Sequence, residues 1–270
     1  MSLNLENQGT PIAIIKTKDT NTNAPASGGK KKNTGSPIVC VSDSEEGIVR
    51  PFNQLSLRDR PDQVFQLIPN PETERQILYI TGSSGSGKSY FTRMYCNEYN
   101  KIFPKRPIYL FSSIGDDSSI DAIRGLKRVK LGKEFIEESF EINDFKDSLV
   151  IFDDTDVIPD KKLRTKVNGI LGMILETGRH TNTYCIYTSH LACAGVDTKR
   201  ILNEAHSITF FPATAGGRTL KYLMDSYLGL DRNEINHVKR LPSRWVTVLK
   251  TFPKVVVSEK DIFLLSSLDK

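Results

Sequence analysis

From Pro71 onward the apolar positions fall into short runs of strand length, separated by longer mixed stretches. Ile77–Thr81, Pro107–Ser112, Ser148–Phe152, Tyr184–Ser189 and Ser207–Phe211 are apolar at successive positions, as strands covered on both faces must be. Leu163, Val167, Ile170, Leu171, Ile174 and Leu175 recur at helical spacing and stop at Gly178, which predicts a helix over Lys161–Thr177. This alternation predicts an α/β fold with a mostly parallel central sheet flanked by helices. Trp245–Lys250 and Val255–Leu265 read as strands joined around Pro253, a C-terminal β-hairpin. No internal repeat is visible.

Upstream the pattern dissolves. Thr17 to Ser36 is mostly Asn, Thr, Ser, Gly and Ala around Lys30-Lys31-Lys32, too polar to repay the entropy of ordering. Residues 1–46 are therefore expected to be a disordered tail whose removal leaves the domain folded. Residues 47–72 place Ile48, Phe52, Leu55, Leu57, Phe65 and Leu67 between prolines, which predicts an irregular arm laid over a folded domain at 73–270.

Composition narrows the function classes. The 270 residues carry a net charge of +5, with 38% hydrophobic and 26% charged positions. No apolar run is long enough to span a bilayer, so no membrane span is expected, and the N-terminus lacks the pattern of a secretory signal. Cys40, Cys96, Cys185 and Cys193 form no Cys-x-x-Cys, which argues against a zinc cage or a disulfide framework. The mild positive charge permits nucleic-acid binding without demanding it.

The sharpest signal is Gly82-Ser83-Ser84-Gly85-Ser86-Gly87-Lys88-Ser89, which fits G-x-x-x-x-G-K-[ST] directly after an apolar strand and before a helix-compatible stretch. Glycines let such a loop curl so that its N–H groups converge on an anion at a helix N-terminus. The residue types predict that Lys88 neutralises the β- and γ-phosphates of ATP and that the Ser89 hydroxyl ligates Mg²⁺. A second signal is the strand Ser148–Phe152, which ends on Asp153-Asp154. Buried unpaired carboxylates are costly, so paired acids at an apolar strand end suggest a chemical role. Asp153 is expected to hold Mg²⁺ through its water shell, and Asp154 to polarise the attacking water, from a strand lying next to the cradle strand.

The strand Tyr184–Ser189 ends in Ser189-His190, where ligands of α/β sheets gather, so both are candidate γ-phosphate sensors. Arg179, just after Gly178, and Arg200 are candidates for an arginine that reaches a neighbouring subunit's nucleotide. His206 and His237 share no metal-ligand spacing.

Taken in order, these features resemble the viral genome-packaging ATPases of the FtsK–HerA superfamily, found in poxviruses, giant DNA viruses and virophages. The resemblance spans roughly residues 75 to 265. It rests on the cradle, a strand ending in Ser112-Ser113, the Asp153-Asp154 strand end, Gly178-Arg179-His180 before the sensor strand, and Arg200 with Asn203 before the last core strand. His190 stands where relatives usually carry Gln, and Asp154 where many carry Glu. The resemblance implies a P-loop NTPase of the additional-strand type. It further implies an ATPase that assembles as a homo-oligomeric ring around double-stranded DNA and drives a genome into a preformed capsid, with capsid or portal vertex proteins as partners. Such a protein acts in the host cytoplasm or the virion. DNA-gripping loops would carry cations; Arg124, Lys127, Arg128, Lys130 and Lys133, and Lys161-Lys162 with Arg164 and Lys166, are candidates. Two other readings stay open: a helicase-like or nucleic-acid kinase P-loop enzyme, and a nucleotide-gated virion scaffold.

Overall fold

The computed structural model describes residues 1–18, 36–43, 46–73, 75–193 and 196–267. Among them, three short strands come first: β1 (Ser2–Asn4), β2 (Thr10–Thr17) and β3 (Ile38–Ser42). The next segment supplies β4 (Gln54–Ser56) and β5 (Gln63–Leu67). The α/β pattern then begins with β6 (Ile77–Thr81), α1 (Lys88–Ile102), β7 (Ile108–Ser112), β8 (Leu126–Arg128) and α2 (Lys133–Glu137). It continues through β9 (Leu149–Asp153), α3 (Lys161–Thr177), β10 (Tyr184–Ser189), α4 (Val196–Glu204) and β11 (Ser207–Phe210). The last part holds α5 (Gly217–Tyr222), α6 (Arg232–Lys239), β12 (Val246–Leu249), β13 (Val255–Ser258) and β14 (Asp261–Leu264).

The central sheet has ten strands in the order β4-β14-β13-β12-β11-β6-β10-β9-β7-β8. From β11 to β8 every pair is parallel, and from β11 back to β4 every pair is antiparallel. Strand β10 lies between β6 and β9, so the acid-bearing strand is not beside the cradle strand, as the sequence had suggested, but one strand further out. The expected C-terminal hairpin is a three-stranded meander, because Val255–Leu265 turns at Glu259-Lys260 and splits into β13 and β14.

Period-two alternation divides the sheet between two cores. Ile77, Tyr79, Phe111, Val150, Phe152, Cys185, Tyr187, Ile208 and Phe210 face α3, α4 and the segments around α5 and α6. Leu78, Ile80, Leu110, Leu149, Ile151, Tyr184 and Ile186 face the other way, onto Phe91, Tyr95, Cys96 and Tyr99 of α1. Each such side chain stabilises the fold by about 1.5–3 kcal/mol on burial. His206 sits under the cradle strand as a structural acceptor, its Nδ1 taking the Ile77 N–H at 3.1 Å. Burial, with Arg75 and Lys250 adding to it, pushes this imidazole down to about 4.

The expectation of a disordered tail over 1–46 is corrected for the described residues. Strands β1, β3, β2 and β5 form a second, four-stranded antiparallel sheet. Its apolar side chains Leu3, Ile12, Ala13, Val39, Val41 and Phe65 join the same core as α1. The sequence misled because these strands flank the polar stretch 19–35, which lies outside the described residues together with the tri-lysine at 30–32. The arm at 47–72 is likewise more than irregular: it gives β4 to the central sheet and β5 to the smaller one. Two ion pairs pin this layer. Lys16 of β2 pairs with the buried Glu98 of α1, and Arg58 and Ser56 bond the two oxygens of the buried Asp261.

Two outcomes follow from this packing. Deleting residues 1–45 leaves β5 unpaired and strips the cover from α1, so the melting temperature should fall by roughly 10 °C or more, or the product should be insoluble. A truncated chain melting with the intact one would show the small sheet to be dispensable. His206 is held neutral in the fold while its unfolded value is near 6.5. The unfolded chain therefore takes up the proton first, and stability is lost as pH falls from 6.5 towards about 4. In His206→Gln that part of the acid destabilisation, read by denaturant titration across pH, should disappear.

Candidate nucleotide site

The cradle loop leaves the carboxyl end of β6 and enters α1 through Gly87, at φ 112° and without any side-chain cap. An L-residue is strained at that φ, and Gly85, at φ 74°, is similarly left-handed. Gly82 is fixed by proximity: a methyl group there would lie 2.6 Å from Ser86 Oγ and 2.8 Å from a Phe211 ring carbon. The Gly82 N–H donates to the Ser189 carbonyl at 3.2 Å, which ties the loop to β10. Ser83, Ser84 and Gly85 form the exposed lip, Ser86 and Lys88 are buried, and Ser89 is half-buried. Ser86 Oγ has no hydrogen-bond partner. An uncapped helix N-terminus with an unsatisfied buried hydroxyl fits an anion in the loop.

Lys88 is 6% exposed, and its ammonium donates to the Gly82 carbonyl at 3.0 Å and to His190 Nδ1 at 3.1 Å. Burial pulls it below the ordinary lysine value, while the charges of Asp154, Asp153 and Asp156 work against that fall. An ammonium has no lone pair, so Nδ1 must be the acceptor and the ring proton must sit on Nε2. That Nε2 lies 2.9 Å from Asp154 Oδ2, so His190 donates to the acid while accepting from the lysine. One imidazole thus links cradle and carboxylate across the intervening strand.

Strand register aligns the rest. Ser112, Asp153 and Thr188 are direct partners across β7, β9 and β10. The Thr188 hydroxyl donates to Asp153 Oδ1 at 2.8 Å, and Ser112 donates to Oδ2 at 3.0 Å. Burial pushes the Asp153 carboxyl up; the Thr188 bond opposes the shift, and the Asp154 charge adds to it. Asp154 turns the chain at φ 48°, and its N–H donates to Thr188 Oγ1 at 3.1 Å. No group of three or more His, Cys, Asp or Glu among the described residues is arranged to hold a metal. A Mg²⁺ bound by one or two protein groups plus substrate phosphates is compatible with this, and Ser89 and Asp153 fit that mode, Asp153 through water because both its oxygens are engaged.

The sensor and finger candidates separate. Ser189 does not face the cradle: its hydroxyl donates to Asp156 Oδ2 at 2.7 Å and accepts from the Leu191 N–H. Thr188 and His190, one residue to either side and on the opposite strand face, reach the acids instead. Register counting from Leu149 opposite Tyr184 would have found Thr188. Arg179 follows α3 at the amino end of β10, the sheet edge away from the cradle. Arg200 pairs with Glu176 of α3 and packs against Gly172, so neither arginine reaches its own chain's loop. Among the basic candidates, 126–128 is an edge strand rather than a helix face, and Arg128 is taken by the Ile114 carbonyl and Asp121.

A protein of the Sputnik virophage, V3, is 37% identical to this chain over 244 residues, covering 90% of this chain and 94% of V3. The chain belongs to the V3 family. No family model matches it. Solved structures similar to this V3-family fold include the DNA-packaging ATPase B204 from Sulfolobus turreted icosahedral virus. That structure has a TM-score of 0.48 and 15% identity, covering 69% of this chain and 98% of that one. The genome-packaging NTPase B204 of Sulfolobus turreted icosahedral virus 2 with ATP-γ-S gives 0.44 and 14%, covering 68% and 97%. The pCW3 conjugation coupling protein TcpA gives 0.45 and 14%, covering 68% of this chain and 60% of that one.

The burial of the Asp153 carboxyl has a measurable cost. An acid raised in the fold takes up a proton on folding, so its burden is absent below its unfolded value and full above its folded one. At neutral pH, Asp153→Asn should raise the melting temperature of the nucleotide-free protein by roughly 2–4 °C. A lower melting temperature would show that the two hydroxyls fully compensate the charge.

Proposed function

We propose that this V3-family chain is an ATP-hydrolysing motor that translocates double-stranded DNA into a preformed capsid. The observation that supports the reading best is the line Lys88–His190–Asp154, which couples the lysine of the glycine-rich loop to a carboxylate at the carboxyl edge of one sheet. ATP would lie along the loop Gly82–Ser89 with its γ-phosphate towards the acids. Its oxygens would take the Lys88 hydrogens now given to Gly82 and His190, releasing Nδ1 of His190. Asp154, 5% exposed and still held by the Nε2–H, would orient a water in line with the γ-phosphorus and accept its proton. Ser89, and Asp153 through water, would hold Mg²⁺, which would supply charge neutralisation on the phosphates. Loss of the γ-phosphate would return Lys88 to His190, a rearrangement that can be passed to β10 and the segment behind it.

The ring assembly and the transport of DNA rest on the resemblance in sequence order and on the placement of Arg179 and Arg200. Arg179 lies at the far end of the sheet and Arg200 pairs with Glu176, so a role at the reaction requires a neighbouring subunit's nucleotide. The readings as a helicase-like or kinase enzyme and as a virion scaffold have no specific observation in their favour.

Lys88→Ala should abolish nucleotide binding or turnover. Asp154→Asn should retain ATP binding while lowering turnover at least about 100-fold. Wild-type hydrolysis should rise on adding double-stranded DNA, measured by phosphate release with assembly state followed in the same samples. Unchanged turnover in Asp154→Asn would move the base elsewhere, and DNA-indifferent hydrolysis would remove the translocation reading.

A further inference from the structure

The acids occupy only one flank of the cradle. Across β6 from the acids lie β11 and β12, and the residue that precedes Trp245 at the entry to β12 is Arg244. A methyl group built on Gly87 would sit 3.6 Å from Arg244 Nη2 and 3.4 Å from the Phe211 ring, so the guanidinium lies over the last glycine of the loop. Its backbone is held in place there. The Arg244 N–H donates to Glu259 Oε2 at 3.0 Å, Ser243 Oγ donates to the Trp245 carbonyl at 2.6 Å, and Trp245 packs edge-on against Phe91 of α1 with centroids 4.9 Å apart.

The guanidinium itself makes no ion pair or hydrogen bond with the described residues. Glu259, the acid at hand, is turned to the arginine's own backbone N–H rather than to its side chain. Three sources of positive potential therefore meet at one loop: an uncapped helix N-terminus, the buried Lys88 and an unpaired arginine. The charges of Asp154, Asp153 and Asp156 reach Lys88 from the opposite flank, none of them pairs with Arg244, and the partnerless buried hydroxyl of Ser86 adds a further donor at the same place. A polyanion seated in the loop resolves all four at once.

We propose that Arg244 grips the diphosphate part of the nucleotide in cis. The assignment rests on the ATP reading above, which directs the γ-phosphate towards Asp154 and so leads the α- and β-phosphates back along the loop to the Arg244 flank. A planar guanidinium that is never deprotonated and has its fork free suits paired phosphate oxygens. Sequence reading passed it over because Arg244 stands outside every motif, 157 positions after Gly87 (244 − 87).

The test is binding of fluorescently labelled ADP with Mg²⁺ to the full chain, with AMP as competitor. Arg244→Gln should raise the Kd for ADP roughly tenfold or more, since a hydrogen bond between charged groups is lost. The AMP affinity should fall much less, and Arg244→Lys, which keeps the charge but loses the fork, should recover part of the ADP affinity. Wild-type ADP affinity in Arg244→Gln overturns the assignment. Equal losses for AMP and ADP also overturn it, placing the guanidinium on base or ribose. Failure of the wild-type chain to bind either nucleotide would instead sink the ATP reading on which the proposal stands.

Discussion

A lysine ammonium as buried as that of Lys88 needs acceptors on every side, and the surroundings of the cradle are organised around that need. The Gly82 carbonyl takes one hydrogen and the His190 ring another. Because the ring must accept at Nδ1, it must donate at Nε2, and Asp154 is positioned to receive. The charge of one side chain thus dictates the tautomer of a second and the hydrogen bonding of a third. Strand β10 makes this possible by bringing His190 between two elements that do not touch in the sheet.

The acids pose the opposite problem, negative charge without enough water. Hydroxyls from the strands on either side of β9 answer it, each opposite Asp153 in register. Such a row is cheap in a parallel sheet, where strands ending together place equivalent residues side by side. The same edge holds a cation and two carboxylates joined through their hydrogen-bonding partners, a concentration of charge that a purely structural sheet end would avoid.

Much of this was legible in the chain. The cradle, the acids, β6, β10 and α3 stand where apolar runs and motif residues put them, because each is fixed by local chemistry. What was not legible depends on pairing over long separations. The small sheet was hidden because β2 and β3 are short runs around a polar stretch, and only β5, about fifty residues on from β2, makes sense of them. Thr188 was missed because nothing local marks it out beside Ser189; which hydroxyl meets the acids is decided by strand parity, through a partner 35 residues away. Placing β9 next to β6 failed for a related reason, since strand order follows from connections that spacing alone does not specify.

The pairing of β4 with β14 ties residues 54–56 to residues 261–263, and the isolated bridge from Leu3 to Phe52 draws the first strand towards the same edge. During synthesis, the opening segment leaves the ribosome long before its partner strand exists. The nascent chain must therefore hold an unpaired β4 until translation has passed β14, and final closure is a late, non-local event. A ribosome stalled shortly before residue 261 would carry an α/β body with one margin still open, and thus a template for pairing with another chain.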